Sequence, residues 1–99
     1  MRLKGRTDAN HQLIAKTLKQ MGCSVISLAN VGHGVPDLLC GCGHQTLLIE
    51  IKDGDKSPSR QKLTEDEQRF HAEWRGGPCV VIRSVDEAIQ LVETTRKQT

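Results

Sequence analysis

Thr46-Leu47-Leu48-Ile49-Glu50-Ile51-Lys52-Asp53 decides how this 99-residue chain is read. The stretch reads as a strand over residues 46–53, and side chains alternate along a strand. Leu47, Ile49 and Ile51 therefore share one face, and Leu48, Glu50 and Lys52 share the other. An acid and a base sit two residues apart on an otherwise apolar face. A buried carboxylate is costly unless it is paired or bound to a metal, so Glu50 marks a candidate site.

Upstream, residues 37–40 form a short apolar strand, and residues 41–44 are placed to turn it back as a hairpin. The start of one strand then lies beside the end of the other, and Asp37 approaches Glu50 and Lys52. Two converging carboxylates suit a hard divalent cation such as magnesium, and the Ile51 carbonyl offers a third oxygen. Such a site matches the needs of phosphodiester hydrolysis: a polarised phosphoryl oxygen, a more acidic water and balanced charge. Lys52 is placed to hold the attacking hydroxide or to stabilise the anionic transition state. A purely structural alternative uses the same residues, with Glu50 and Lys52 as an ion pair and Asp37 capping a turn.

Further out, Ile14, Leu18 and Met21 recur at helical spacing, which predicts a helix over residues 8–21 stopped by Gly22. A strand follows over residues 23–29. Asn30-Val31-Gly32-His33-Gly34-Val35-Pro36 reads as a loop. Residues 54–62 form a polar loop. Thr64 and Glu67 then make a Thr-x-x-Glu capping box for a helix whose apolar stripe is Leu63, Phe70 and Trp74, flanked by Gln68, His71 and Arg75. Gly76-Gly77-Pro78 ends it, residues 79–83 form a fourth strand, and Ser84 with Glu87 forms a second capping box. The last helix carries Val85, Ala88, Ile89 and Val92 on one face and frays after Thr95. The order is αβββαβα, an α/β fold of one domain over residues 1–99.

Apolar residues make up 36% of the chain and charged residues 26%, as in a globular protein rather than a disordered one. The net charge of +2 identifies no partner, but local basic excess around Lys52, Lys56, Arg60 and Lys62 is placed to meet phosphates. His33, in the loop before Asp37, is a further candidate phosphate contact, and His71 lies one helical turn beyond Gln68. No apolar run approaches the roughly 20 residues of a membrane span, and no apolar segment follows the basic Met1-Arg2-Leu3-Lys4. The expectation is a cytoplasmic protein, bacterial or from a phage-infected cell, whose four cysteines stay reduced. Cys40-x-Cys42-x-His44 raises zinc as an alternative, although structural zinc sites space their cysteines more widely and add a second pair.

Three blocks carry a resemblance to a known family: Gly34-Val35-Pro36-Asp37, Leu48-Ile49-Glu50-Ile51-Lys52 and Leu63-Thr64-Glu65-Asp66-Glu67-Gln68. Gly76-Gly77 and the run from Val81 through Arg83-Ser84-Val85-Asp86-Glu87-Ala88-Ile89 extend it. The chain resembles the PD-(D/E)XK nuclease superfamily, and most of all its VRR-NUC family in the small stand-alone form of phages and bacteria. The resemblance implies a restriction-endonuclease-like fold, a mixed four-stranded sheet flanked by helices. It implies a Mg²⁺- or Mn²⁺-dependent endonuclease in which Asp37, Glu50 and the Ile51 carbonyl bind metal, Lys52 is catalytic and Gln68 faces the site. Stand-alone members resemble junction-resolving homodimers that act on branched DNA, such as Holliday junctions or flaps. One departure stands out: where relatives often carry a glutamate early in the first helix, this chain has Asp8 nearby and Asn10 at the equivalent place. A module that grips nucleic acid without cutting it is the alternative, and a zinc-stabilised interaction module is the third.

Overall fold

The computed structural model describes residues 9–98. Its elements are α1 (Ala9–Gln20), β1 (Ser24–Ser27), β2 (Leu38–Cys42), β3 (Gln45–Ile51), α2 (Pro58–Gln61), α3 (Glu65–Glu73), β4 (Cys79–Ile82) and α4 (Val85–Lys97). The strands form one mixed sheet in the order β1-β2-β3-β4. β1, β2 and β3 pair antiparallel, while β3 and β4 pair parallel across the connection that holds α2 and α3. This is the α/β architecture expected from the sequence. Among the described residues, no helix is long and apolar enough to cross a membrane.

The hairpin that makes the site is tighter than the sequence suggested. Cys42 pairs with Gln45, so Gly43 and His44 alone make the turn, with φ of 55° and 71°. Two consecutive positive φ values match the twist of the flanking strands. Gly41, expected in the turn, remains inside β2. The pairing Leu38↔Ile49, Leu39↔Leu48, Cys40↔Leu47 then sets every side chain on its face.

Leu47, Ile49 and Ile51 turn to the core face, as their alternation required. There they meet Ile14 and Leu18 of α1, Leu38 and Cys40 of β2, and Ala88 and Val92 of α4. Burying each large aliphatic side chain contributes about 1.5–3 kcal/mol, which anchors β3 against α1 and α4. The opposite face of β3 is closed as well: Leu48 and Glu50 are buried. β3 is an inner strand, and α3 approaches that second face through Glu67.

Three expectations needed correction. Residues 54–62 are not all loop, because Pro58 starts the short helix α2, where its fixed φ and missing N–H cost nothing. The last helix does not fray at Thr95, which is buried, but continues to Lys97. The stripe on α3 stays largely outside the core: Phe70 stacks on Trp74 with ring centroids 5.4 Å apart, and Trp74 remains 43% exposed. Both predicted helix starts have capping hydrogen bonds, Thr64 Oγ1 accepting from Glu67 N and Ser84 Oγ from Glu87 N. At the second, Glu87 reaches back to Arg83 N rather than to Ser84 N. The expected start of α1 at Asp8 lies outside the described residues.

Candidate functional site

Asp37 stands one step beyond the last paired residues of the hairpin, Leu38 and Ile49, which brings it level with Glu50. Its Oδ2 accepts a hydrogen bond from Ile51 N at 2.7 Å. The N–H and C=O of one strand residue point to the same edge, so the Ile51 carbonyl also looks toward Asp37.

Glu50 is 3% exposed, and its Oε1 is buried without a hydrogen-bond partner. Burial, then the charge of Asp37 and its hydrogen bond, then Glu67, push the Glu50 carboxyl up to about 9, while Lys52 opposes the shift. Lys52 Nζ lies 3.9 Å from Glu50 Oε2 and 2.9 Å from Glu67 Oε1. The two acids and the lysine singled out in the sequence are therefore gathered at one point.

A buried carboxylate oxygen with no partner, beside a second carboxylate, fits a hard divalent cation. Among the described residues, no group of three or more His, Cys, Asp or Glu side chains is arranged to hold a metal. The donors this point offers are the carboxylates of Asp37 and Glu50 and the Ile51 backbone carbonyl. That suits magnesium, which binds through one or two carboxylates and keeps water and phosphate in its remaining positions.

Other sequence candidates fall around this point to differing degrees. Lys56 and Arg60 line a hollow of about 260 Å³ together with Ile51, Lys52 and Asp53, which places both cations near Lys52. Lys62 lines a neighbouring hollow with Pro58, Gln61 and Arg83. His33 is exposed in the loop before β2, with a positive φ of 59°. Gln68 is exposed and turns back on its own chain, donating to the Leu63 carbonyl at 3.1 Å, so the structure does not join it to the acids and lysine. His71 lies over the sheet with Nδ1 3.6 Å from Cys79 Sγ. Cys40 and Cys42 face the core beside Cys23, whose thiol is pushed up to about 12 by burial and by its hydrogen bond with Cys42. His44 is exposed in the turn. Cys23, Cys40 and Cys42 are thus buried thiols, and His44 stands apart from them in solvent.

Glu67 was missed as a site residue, and Asn10 was marked only as a departure from the resemblance, not for the contact it makes. Glu67 was read only as half of a capping box, yet the same Oε1 that accepts from Thr64 N also holds Lys52. Asn10 donates from Nδ2 to the Lys52 carbonyl at 2.9 Å, tying α1 to the end of β3. No local signal in the sequence marks either contact, since 15 and 42 positions separate the partners.

A mixed sheet that brings an aspartate, a buried glutamate and a lysine to the end of one hairpin is consistent with a restriction-endonuclease-like core. Compared with family sequence models, the chain matches archaeal Holliday junction resolvase (Hjc) over residues 2–98, and it belongs to that family. The superfamily expected from the sequence is thereby reached, through its resolvase branch. Comparisons with curated proteins and with solved structures gave no match.

Proposed function

We propose that this protein is a divalent-metal-dependent endonuclease that cuts Holliday junctions or related branched DNA as a homodimer. The observation that carries the reading is the buried, unpartnered Glu50 oxygen beside Asp37 and Lys52 in a chain of the resolvase family. Asp37, Glu50 and the Ile51 carbonyl would hold Mg²⁺ or Mn²⁺. When bound, the cation supplies Lewis acidity and a more acidic water for phosphodiester hydrolysis. The Ile51 N–H fixes one Asp37 oxygen, leaving the other free to face Glu50. Lys52 has three donors. With one held by Glu67, two remain for the scissile phosphate or the attacking water, and its charge balances the anionic transition state. Lys56 and Arg60 grip the flanking backbone, and Lys62 and His33 extend the contact along it.

Two symmetric sites suit the two strands cut in a four-way junction. The closer affinity to stand-alone VRR-NUC enzymes belongs to the same proposal and rests on the blocks around Asp37, Glu50 and Gln68, as does a site role for Gln68; a single domain over residues 1–99 and a cytoplasmic location belong to it too, on chain length and apolar content. Purified protein should cleave a synthetic junction with Mg²⁺ or Mn²⁺ and not with chelator. Glu50→Ala and Lys52→Ala should lose cleavage with unchanged circular dichroism, and unaltered cleavage in both removes the assignment. A non-cutting DNA-binding module is the rival, favoured by the Asn10 amide standing where the resemblance expects a carboxylate. It predicts tight, salt-sensitive junction binding with no turnover in any metal.

A further inference from the structure

We infer that Glu67 is a positioning residue that holds Lys52 in its working orientation, and that the first turn of α3 is thereby part of the cutting machinery. This rests on the endonuclease reading above. Lys52 is a long, flexible side chain whose ammonium does not fix its own direction. Two carboxylates are within its reach, and the structure shows it on the one that is not at the acid pair: 2.9 Å to Glu67 Oε1 against 3.9 Å to Glu50 Oε2.

Glu67 can serve as a fixed post because it is itself held. Its Oε1 accepts from Thr64 N at 2.9 Å, and its own N–H donates to Thr64 Oγ1 at 3.2 Å. Burial works against the charged form of Glu67, but hydrogen bonds from Lys52 and Thr64 outweigh it and hold the carboxyl below its ordinary range. The same turn also seats the loop that leads to Asp37. A Cβ at Gly34 would stand 2.3 Å from the Asp66 carbonyl oxygen and 2.9 Å from Glu67 N, so this backbone passes in direct contact with α3. One capped helix start therefore touches both Lys52 and the segment that delivers Asp37.

The two roles of Glu67 separate by substitution. Glutamine satisfies a capping box as well as glutamate does, so Glu67→Gln keeps the bond to Thr64 N while removing the negative charge. The Lys52 ammonium then has Glu50 as its nearest carboxylate and swings toward it. Thr64→Ala does the reverse: the cap hydroxyl goes, while the backbone N–H and the Glu67 charge remain.

The experiment measures single-turnover cleavage of a synthetic four-way junction in Mg²⁺, junction binding in chelator, and thermal midpoints, for the full chain and three variants. Glu67→Gln should lower the cleavage rate about 10- to 100-fold, the penalty of a reacting group displaced by about an ångström, with binding unchanged and a smaller fall in midpoint than Thr64→Ala gives. Thr64→Ala should lower the midpoint by roughly 5 °C and lower the rate far less than Glu67→Gln does, because the backbone N–H still holds the Glu67 carboxylate. Wild-type cleavage in Glu67→Gln overturns the inference, and so does a loss of midpoint and rate in Glu67→Gln that Thr64→Ala reproduces, since capping alone then explains both. If Lys52→Ala still cuts, the endonuclease reading itself fails, which is a separate outcome.

Discussion

Replacing Glu50 by glutamine should make the metal-free protein more stable at neutral pH, and the gain should grow with pH. The carboxyl is buried beside Asp37 and Glu67 and is pushed up from its ordinary 4.5 to about 9. For an acid whose folded value is raised, the fold favours the protonated form. Its contribution to stability is complete below 4.5 and is lost as pH rises toward 9. At pH 7 the interval above 4.5 is 7 − 4.5 = 2.5 units, and at about 1.4 kcal/mol per unit this group weakens the wild-type fold by roughly 3 to 4 kcal/mol relative to pH 4.5. Glutamine does not ionise, and its amide can donate to Asp37 as the protonated acid does. Glu67 titrates in the opposite sense, but its carboxyl is lowered, so its effect falls below 4.5 and outside this window. Urea unfolding in chelator at a series of pH values from 5 to 9 reads the difference directly, as a midpoint that falls with pH in the wild type and less so in Glu50→Gln. Added Mg²⁺ or Mn²⁺ should stabilise the wild type and not the variant, because the cation replaces the missing partner of the carboxylate. Parallel pH profiles for the two proteins would refute the reasoning, for they would mean that Glu50 is not held against its charge.

Two further outcomes follow from the geometry. Gly34→Ala should cost clearly more stability than Gly32→Ala. Both positions have a positive φ, worth about 1–3 kcal/mol for a non-glycine residue, but only at Gly34 would the new Cβ also strike the Asp66 carbonyl, while at Gly32 it meets open space. Equal urea midpoints for the two variants would show that the loop is not seated on α3. On the DNA side, Lys56→Ala and Arg60→Ala should each reduce the slope of log binding constant against log salt by about one. An unchanged slope in the double variant would take the hollow beside Lys52 out of the DNA path.

Much of the site was legible because strand geometry is local. The two-residue period of β3 separates Ile49 from Glu50 without reference to the rest of the chain, and a short turn then brings Asp37 level with Glu50. The capping boxes were legible for the same reason, as they join residues only three apart. The Gly41 and Ser84 details were misjudged because one residue of register, or one choice among neighbouring N–H donors, is decided by pairing and not by composition.

The sequence by itself determined the order of elements, the apolar face of β3 and the acid–acid–lysine set at its end, because side-chain alternation, helical period and turn chemistry act over a few residues. Only the tertiary structure decided that Glu50 is sealed from water with an unpartnered oxygen, that Lys52 is held by Glu67, and that Asn10 ties α1 to the Lys52 carbonyl. Burial and ion pairing depend on which surfaces meet across the sheet. Those meetings join residues far apart in the chain, where no local period reaches.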